Sequence, residues 1–83
     1  LEQNYPNPFN PSTTISFSIQ TDQFVTLKVF NAIGEEMATL INKNLTGGTH
    51  NINFNADGLS SGFYIYRLES GNQVQVRKMM LLK

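Results

Sequence analysis

Apolar and polar residues alternate with a period of two along most of this chain, in short runs broken by clusters of Gly, Asn, Asp and Ser. A period of two marks a strand with one face buried, whereas an amphipathic helix repeats at about 3.6 residues. The chain is therefore read as β-strands joined by turns. From Thr14, Ile15, Phe17 and Ile19 fall on one side, with Ser16, Ser18 and Gln20 on the other. Thr21-Asp22-Gln23 turns the chain into the clearest strand, Phe24 to Phe30, with Val25, Leu27 and Val29 inward. Asn31-Ala32-Ile33-Gly34 reads as a hairpin loop with Gly34 where positive φ is wanted.

Helix competes only over Glu35 to Asn42, where Met37, Leu40 and Ile41 fit a helical period. Strand is preferred, because an isolated helix this short is marginal and a β-bulge explains why Met37 and Leu40 change parity. Asn44 to Gly48 reads as loop. His50, Ile52 and Phe54 then alternate inward, and Asp57 to Gly62 is a turn cluster. Phe63 to Glu69 carries Tyr64, Tyr66 and Leu68 on one face and Phe63, Ile65 and Arg67 on the other, so we expect a central strand covered on both sides. Ser70-Gly71-Asn72 leads into the last strand, Gln73 to Leu82. With no crossover helix available, the expected fold is all-β, an antiparallel sandwich.

The opening is different in kind. All three prolines lie in Tyr5-Pro6-Asn7-Pro8-Phe9-Asn10-Pro11-Ser12, where fixed φ and missing N–H groups exclude helix. We read residues 1–12 as an extended lead-in packed on the domain through Tyr5 and Phe9, with the sandwich over 13–83.

At 83 residues the chain makes one domain that buries roughly 60–65% of its unfolded surface. It has no Cys, so packing alone must hold it together and the redox compartment stays open. Six basic and six acidic residues cancel, which removes the positive field that nucleic-acid binding requires. The terminal apolar run, Met79 to Leu82, is too short to span a bilayer, and no inner-membrane export signal precedes it, so any such signal lies upstream of Leu1.

Chemistry finds little to work with. His50 is the only histidine and sits at an apolar alternation position without an orienting partner, which favours a packed structural residue over a general base. Glu35 and Glu36 are adjacent but on opposite strand faces, so no glycosidase pair is indicated. The serines lack a nucleophile elbow, and Gly47-Gly48 precedes a strand where a phosphate loop needs a helix. Asp57 with Asn55 falls short of a calcium site, and Asn44-Leu45-Thr46 is a short sequon read as chance. We expect no catalysis, metal or cofactor. The tail, Arg77-Lys78-Met79-Met80-Leu81-Leu82-Lys83, reads equally as a buried last strand with charged brackets or as an exposed recognition strand.

Taken in order, the motifs are Tyr5-Pro6-Asn7-Pro8-Phe9-Asn10-Pro11-Ser12-Thr13-Thr14-Ile15, Val29-Phe30-Asn31 through Gly34-Glu35, and Gly48-Thr49-His50. Ser61-Gly62-Phe63-Tyr64 through Arg67-Leu68 and Lys78-Met79 with terminal Lys83 complete the series. Together they resemble the type A C-terminal sorting domain of the type IX (Por) secretion system across essentially the whole chain. The later motif is also similar to the immunoglobulin-like domain of flagellar hook-capping proteins. Phe54 stands where the sorting family more often has Trp, and Phe63 where Ile or Val is commoner; both keep an apolar body.

The resemblance implies an immunoglobulin-like sandwich of about seven strands, joined to the C-terminus of a secreted cargo. It implies passage through the periplasm, the outer-membrane translocon and a sortase-like peptidase as partners, and release or lipopolysaccharide attachment of the cargo at the surface. By position, Pro6, Asn7, Pro8, Phe9, Gly34, Gly62, Tyr64, Lys78 and Lys83 are its candidate recognition residues. Two rivals remain: a carbohydrate-binding module using Tyr5, Tyr64 or Tyr66 as an aromatic platform, and a structural spacer.

Overall fold

A computed structural model describes residues 1–83 and contains strands but no helix. The strands are β1 (Ser12–Ile19), β2 (Gln23–Asn31), β3 (Glu36–Leu45), β4 (Gly48–Asn55), β5 (Gly62–Ser70) and β6 (Gln73–Leu81). All neighbours are antiparallel: β1 pairs with β4 in one sheet, and the other runs β3-β2-β5-β6. The inward residues are those of the period-two pattern. Ile15, Phe17 and Ile19 from β1 face Val25, Leu27 and Val29 from β2 and Tyr64, Tyr66 and Leu68 from β5, all in one buried cluster. This is the sandwich the alternation predicts.

β3 is strand throughout, and its competing helical period has a local cause. Leu27 pairs with Ile41 but Lys28 with Thr39, and Val29 pairs with Ala38 but Phe30 with Glu36, so Leu40 and Met37 are extra residues at two bulges. Each bulge flips the parity of the residues that follow. Ile41 is thereby buried while Met37 stays exposed.

Four expectations need correction. First, there are six strands rather than about seven. The lead-in follows the path of an additional strand, but its prolines cannot donate ladder bonds, and it makes only isolated bridges, Tyr5 to Thr14 and Phe9 to Leu81. Second, β3 runs on through Leu45 and β4 starts at Gly48, because Asn44 and Leu45 still pair with Phe24 and Gln23. Third, Tyr5 is no anchor: it is 81% exposed, whereas Phe9 is 2% exposed, tilted against Phe54 at 6.2 Å between ring centroids. Fourth, β5 is central but no second layer covers its outer face. There Phe63 is 49% exposed, and the apolar rings are shielded only by cations: Arg67 Cζ lies 4.9 Å from the Phe30 centroid and Lys78 Nζ 5.0 Å from that of Phe63.

A buried polar knot ties the lead-in to the core. Asn4 N–H donates to Tyr66 Oη at 2.8 Å, and Tyr66 O–H donates to the Glu2 carbonyl at 2.8 Å. Asn4 Nδ2 reaches Thr13 Oγ1 and the Pro6 carbonyl, which also accepts from Thr13 Oγ1 at 2.9 Å. Asn4 and Thr13 are both buried, so these bonds satisfy groups that would otherwise be costly to desolvate.

Burial raises the Tyr66 phenol above its ordinary 10.0, opposed by the Asn4 N–H and the charge of Arg77. A raised pKa means the folded chain favours the neutral phenol. Its contribution is full below the unfolded value and is lost as pH rises through the folded one. We therefore expect the melting temperature to hold from neutral to about pH 9 and to fall above about pH 10. Tyr66→Phe should flatten this fall in an alkaline melting series. An equally steep fall in the variant would assign the transition to other groups.

Candidate recognition surface

The sequence spreads its motif residues from position 6 to position 83, and the fold gathers them at one end of the four-stranded sheet. The register pairs Gly62 with Leu81 and Tyr64 with Met79, which places the β5 motif against the tail. Asn7 Oδ1 accepts the Met80 N–H at 2.9 Å. Phe9 N–H donates to the Met80 carbonyl and its own carbonyl accepts the Leu82 N–H, both at 3.0 Å. Lys83 N–H donates to Ser61 Oγ, also at 3.0 Å. Asn31 lies opposite Tyr64, so the loop bearing Gly34 closes the same end.

Roles within this cluster differ. Phe9 and Tyr64 are core, and the Tyr64 hydroxyl donates 2.7 Å back to the Ser60 carbonyl, locking the turn before β5 as the tyrosine corner does in immunoglobulin-like folds. Gly62 has φ +151° with open space around it, a conformation reserved for glycine by the backbone rather than by a neighbour. Gly34, at φ +87°, closes a loop in which Asn31 Oδ1 accepts the N–H groups of Ile33 and Glu35. Pro6 contributes its carbonyl to the polar knot, and Pro8 is exposed. Lys78 and Lys83 are exposed and form no salt bridge.

Both readings of the tail hold in part, because β6 divides by parity. Met79 and Leu81 are fully buried, and Leu82 is exposed. Further back, Val74 and Val76 face outward at 58% and 53% exposure, beside Glu69 and Arg67 respectively. The outer face around β6 is therefore apolar with basic borders. Beside it Glu69 is engaged with Arg67 at 3.1 Å, and at the opposite edge of the sheet Glu36 on β3 is engaged with Lys28 at 3.3 Å. Glu36 is held below its ordinary 4.5 by a bond from Thr39 first and by Lys28 second.

His50 is a structural residue, stacked on Phe17 at 5.5 Å with Nε2 2.8 Å from the Thr46 carbonyl. Asn55 Oδ1 accepts the Asp57 N–H, which commits that oxygen to its turn. Tyr64 and Tyr66 are buried, which leaves Tyr5 alone of the three tyrosines as an exposed ring for a sugar. Sequence reasoning missed Asn4 and Thr13. A proline-rich segment has no periodicity from which to read a buried Asn, whereas Thr13 is in phase with Ile15, Phe17 and Ile19, and the same period extended by one step marks it as inward.

These features define a small six-stranded antiparallel β-sandwich whose C-terminal strand forms a sheet edge beside its own proline-rich opening. The chain belongs to the secretion system C-terminal sorting domain family, whose model matches residues 3–82. Membership assigns it a role in export to the cell surface or beyond. No curated protein and no solved structure matches the chain significantly.

Proposed function

We propose that the chain is the sorting signal of an exported protein, with residues 1–12 as its lead-in and 13–83 as its sandwich. It directs an N-terminally attached cargo from the periplasm through the outer-membrane translocon of the type IX system, after which a sortase-like peptidase removes it. The match over residues 3–82 carries this reading. The convergence of the opening, Gly62, Tyr64 and the tail supports it, since a receptor reading one end of the domain would meet a surface that all of them build. In this reading Phe9, Gly34, Gly62 and Tyr64 shape the surface, while Pro6, Asn7, Pro8, Lys78 and Lys83 offer contacts.

Charge and folding can be separated here. Replacing Lys78 and Lys83 together by Gln removes one cation over an exposed ring, worth up to about 1 kcal/mol, and otherwise alters only surface. The variant should keep its melt close to that of the parent while export of a fused reporter falls. The reporter should leave the cell only where the type IX translocon works. Secretion that persists in a translocon mutant would sink the sorting role. Normal export of the folded double variant would sink only the two lysines.

A further inference from the structure

The lead-in lies in a gap between the edges of the two sheets. On one side it runs antiparallel to β1: Tyr5 exchanges both backbone bonds with Thr14, and Glu2 N–H donates to the Ser16 carbonyl at 2.9 Å. On the other side it runs parallel to β6, where Phe9 bridges Leu81, Gln3 Nε2 donates to the Lys78 carbonyl at 2.8 Å, and Arg77 Nε donates to the Leu1 carbonyl at 3.2 Å. The Leu1 nitrogen then donates to Gln75 Oε1 at 2.8 Å. Moving upstream, the chain is heading toward Ser18 on β1 and Gln73 on β6.

There the gap continues as an open cleft of about 420 Å³, bounded by Ser18, Gln20, Ser70, Gln73 and Gln75, with Ile19 its one apolar residue. Backbone groups are available on both walls. Thr14 and Ser16 turn their polar groups toward the lead-in, so by the strand period Ser18 does too. On β6, Met80 and Leu82 bond the lead-in, so Val76 and Val74 present their N–H and C=O groups along the same edge. Two strand edges with neutral amide side chains between them match an extended polypeptide, whose peptide units both donate and accept. They do not match an apolar small molecule.

We propose that the segment preceding Leu1, the connection to the cargo, docks in this cleft as a continuation of the lead-in. It runs antiparallel to β1 and parallel to β6. The proposal rests on the sorting-domain reading for the existence of that segment, and on the direction of residues 1–9 for its path. Its consequence is spatial: the molecule is 37 Å long, and the cargo connection leaves at the end opposite the clustered motif residues. A receptor could then hold the motif end without meeting the cargo.

Hydrogen–deuterium exchange on the full-length precursor tests this, comparing the parent with a Ser18→Pro/Val74→Pro variant, which removes one backbone donor from each wall of the cleft. Both residues are exposed and lie on strand edges, so peptides over β2 and β5 should keep their protection and certify the fold. The peptide immediately before Leu1 should exchange roughly tenfold more slowly than unstructured chain in the parent and lose most of that protection in the variant. Exchange at the unstructured rate in the parent overturns the proposal. Equal protection in both proteins also overturns it, since the cargo rather than the cleft would then be holding the segment. Reporter export is scored separately: a free connection with normal export sinks the docking alone, whereas lost type IX dependence sinks the sorting role and leaves the exchange result standing.

Discussion

Truncation after Lys78 is expected to unfold the domain. The five residues removed include Met79 and Leu81, at 1% and 0% exposure. Emptying one such site typically costs about 2–5 kcal/mol, so losing both approaches about 4–10 kcal/mol. The deletion also removes the partners of Phe9 and Asn7 at Met80 and Leu82, and the ladder from Gly62 to Tyr64. A chain of 83 residues has a total stability of about 4–12 kcal/mol, at roughly 0.05–0.15 kcal/mol per residue. Little or nothing is left. A circular-dichroism melt of the truncated domain should show no cooperative transition, and a melt like the parent's would refute this account of the tail. It follows that export lost on truncating the tail does not by itself identify a signal, because the fold goes with it. The Lys78 and Lys83 substitutions avoid that confusion.

Strands with one face on the core were legible in the sequence because burial imposes period two, as at Ile15, Phe17 and Ile19, or Val25, Leu27 and Val29. The bulges of β3 were legible as a disturbance of that period, since Met37 and Leu40 fall out of step by one residue each. Where burial is decided between elements distant in sequence, periodicity has nothing to say. Tyr5 and Phe9 are both aromatic residues flanking prolines, yet one is exposed and the other central. Nothing local separates them; the difference is that Phe9 sits where β6 ends and Phe54 reaches across, as ring contact and backbone bonds show. The outer face of β5 misled for a related reason. Phe63 and Ile65 suggested a covering layer, whereas the cover is supplied by neighbouring cations, Lys78 over Phe63 and Arg67 over Phe30. The motif residues were named from the resemblance; the pairing of β5 with β6, the bonds from Asn7 and Phe9 to the tail and the β2–β5 register bring such distant positions together.

The contrast between Phe9 and Tyr5 yields the second large effect. Phe9→Ala should destabilise the domain by about 3–5 kcal/mol, the usual cost of emptying a buried aromatic site. Tyr5→Ala should stay within about 0.5 kcal/mol, as at an exposed position, because its structural contribution is made by backbone bonds to Thr14 that the substitution leaves in place. The Phe9 loss should also spread. With the ring gone, Asn7 and Phe9 hold β6 only through three hydrogen bonds, each with a net worth of about 1 kcal/mol. The lead-in should then release at its downstream end before the sheets separate. Denaturant melts of the two variants give the energies, and amide exchange at Met80 and Leu82 reports the release. Rapid exchange there, with Val25 and Leu27 still protected, would show that Phe9 is the pin between opening and tail. Equal stabilities for the two variants would mean that the polar knot at Asn4, Thr13 and Tyr66 fastens the lead-in without it.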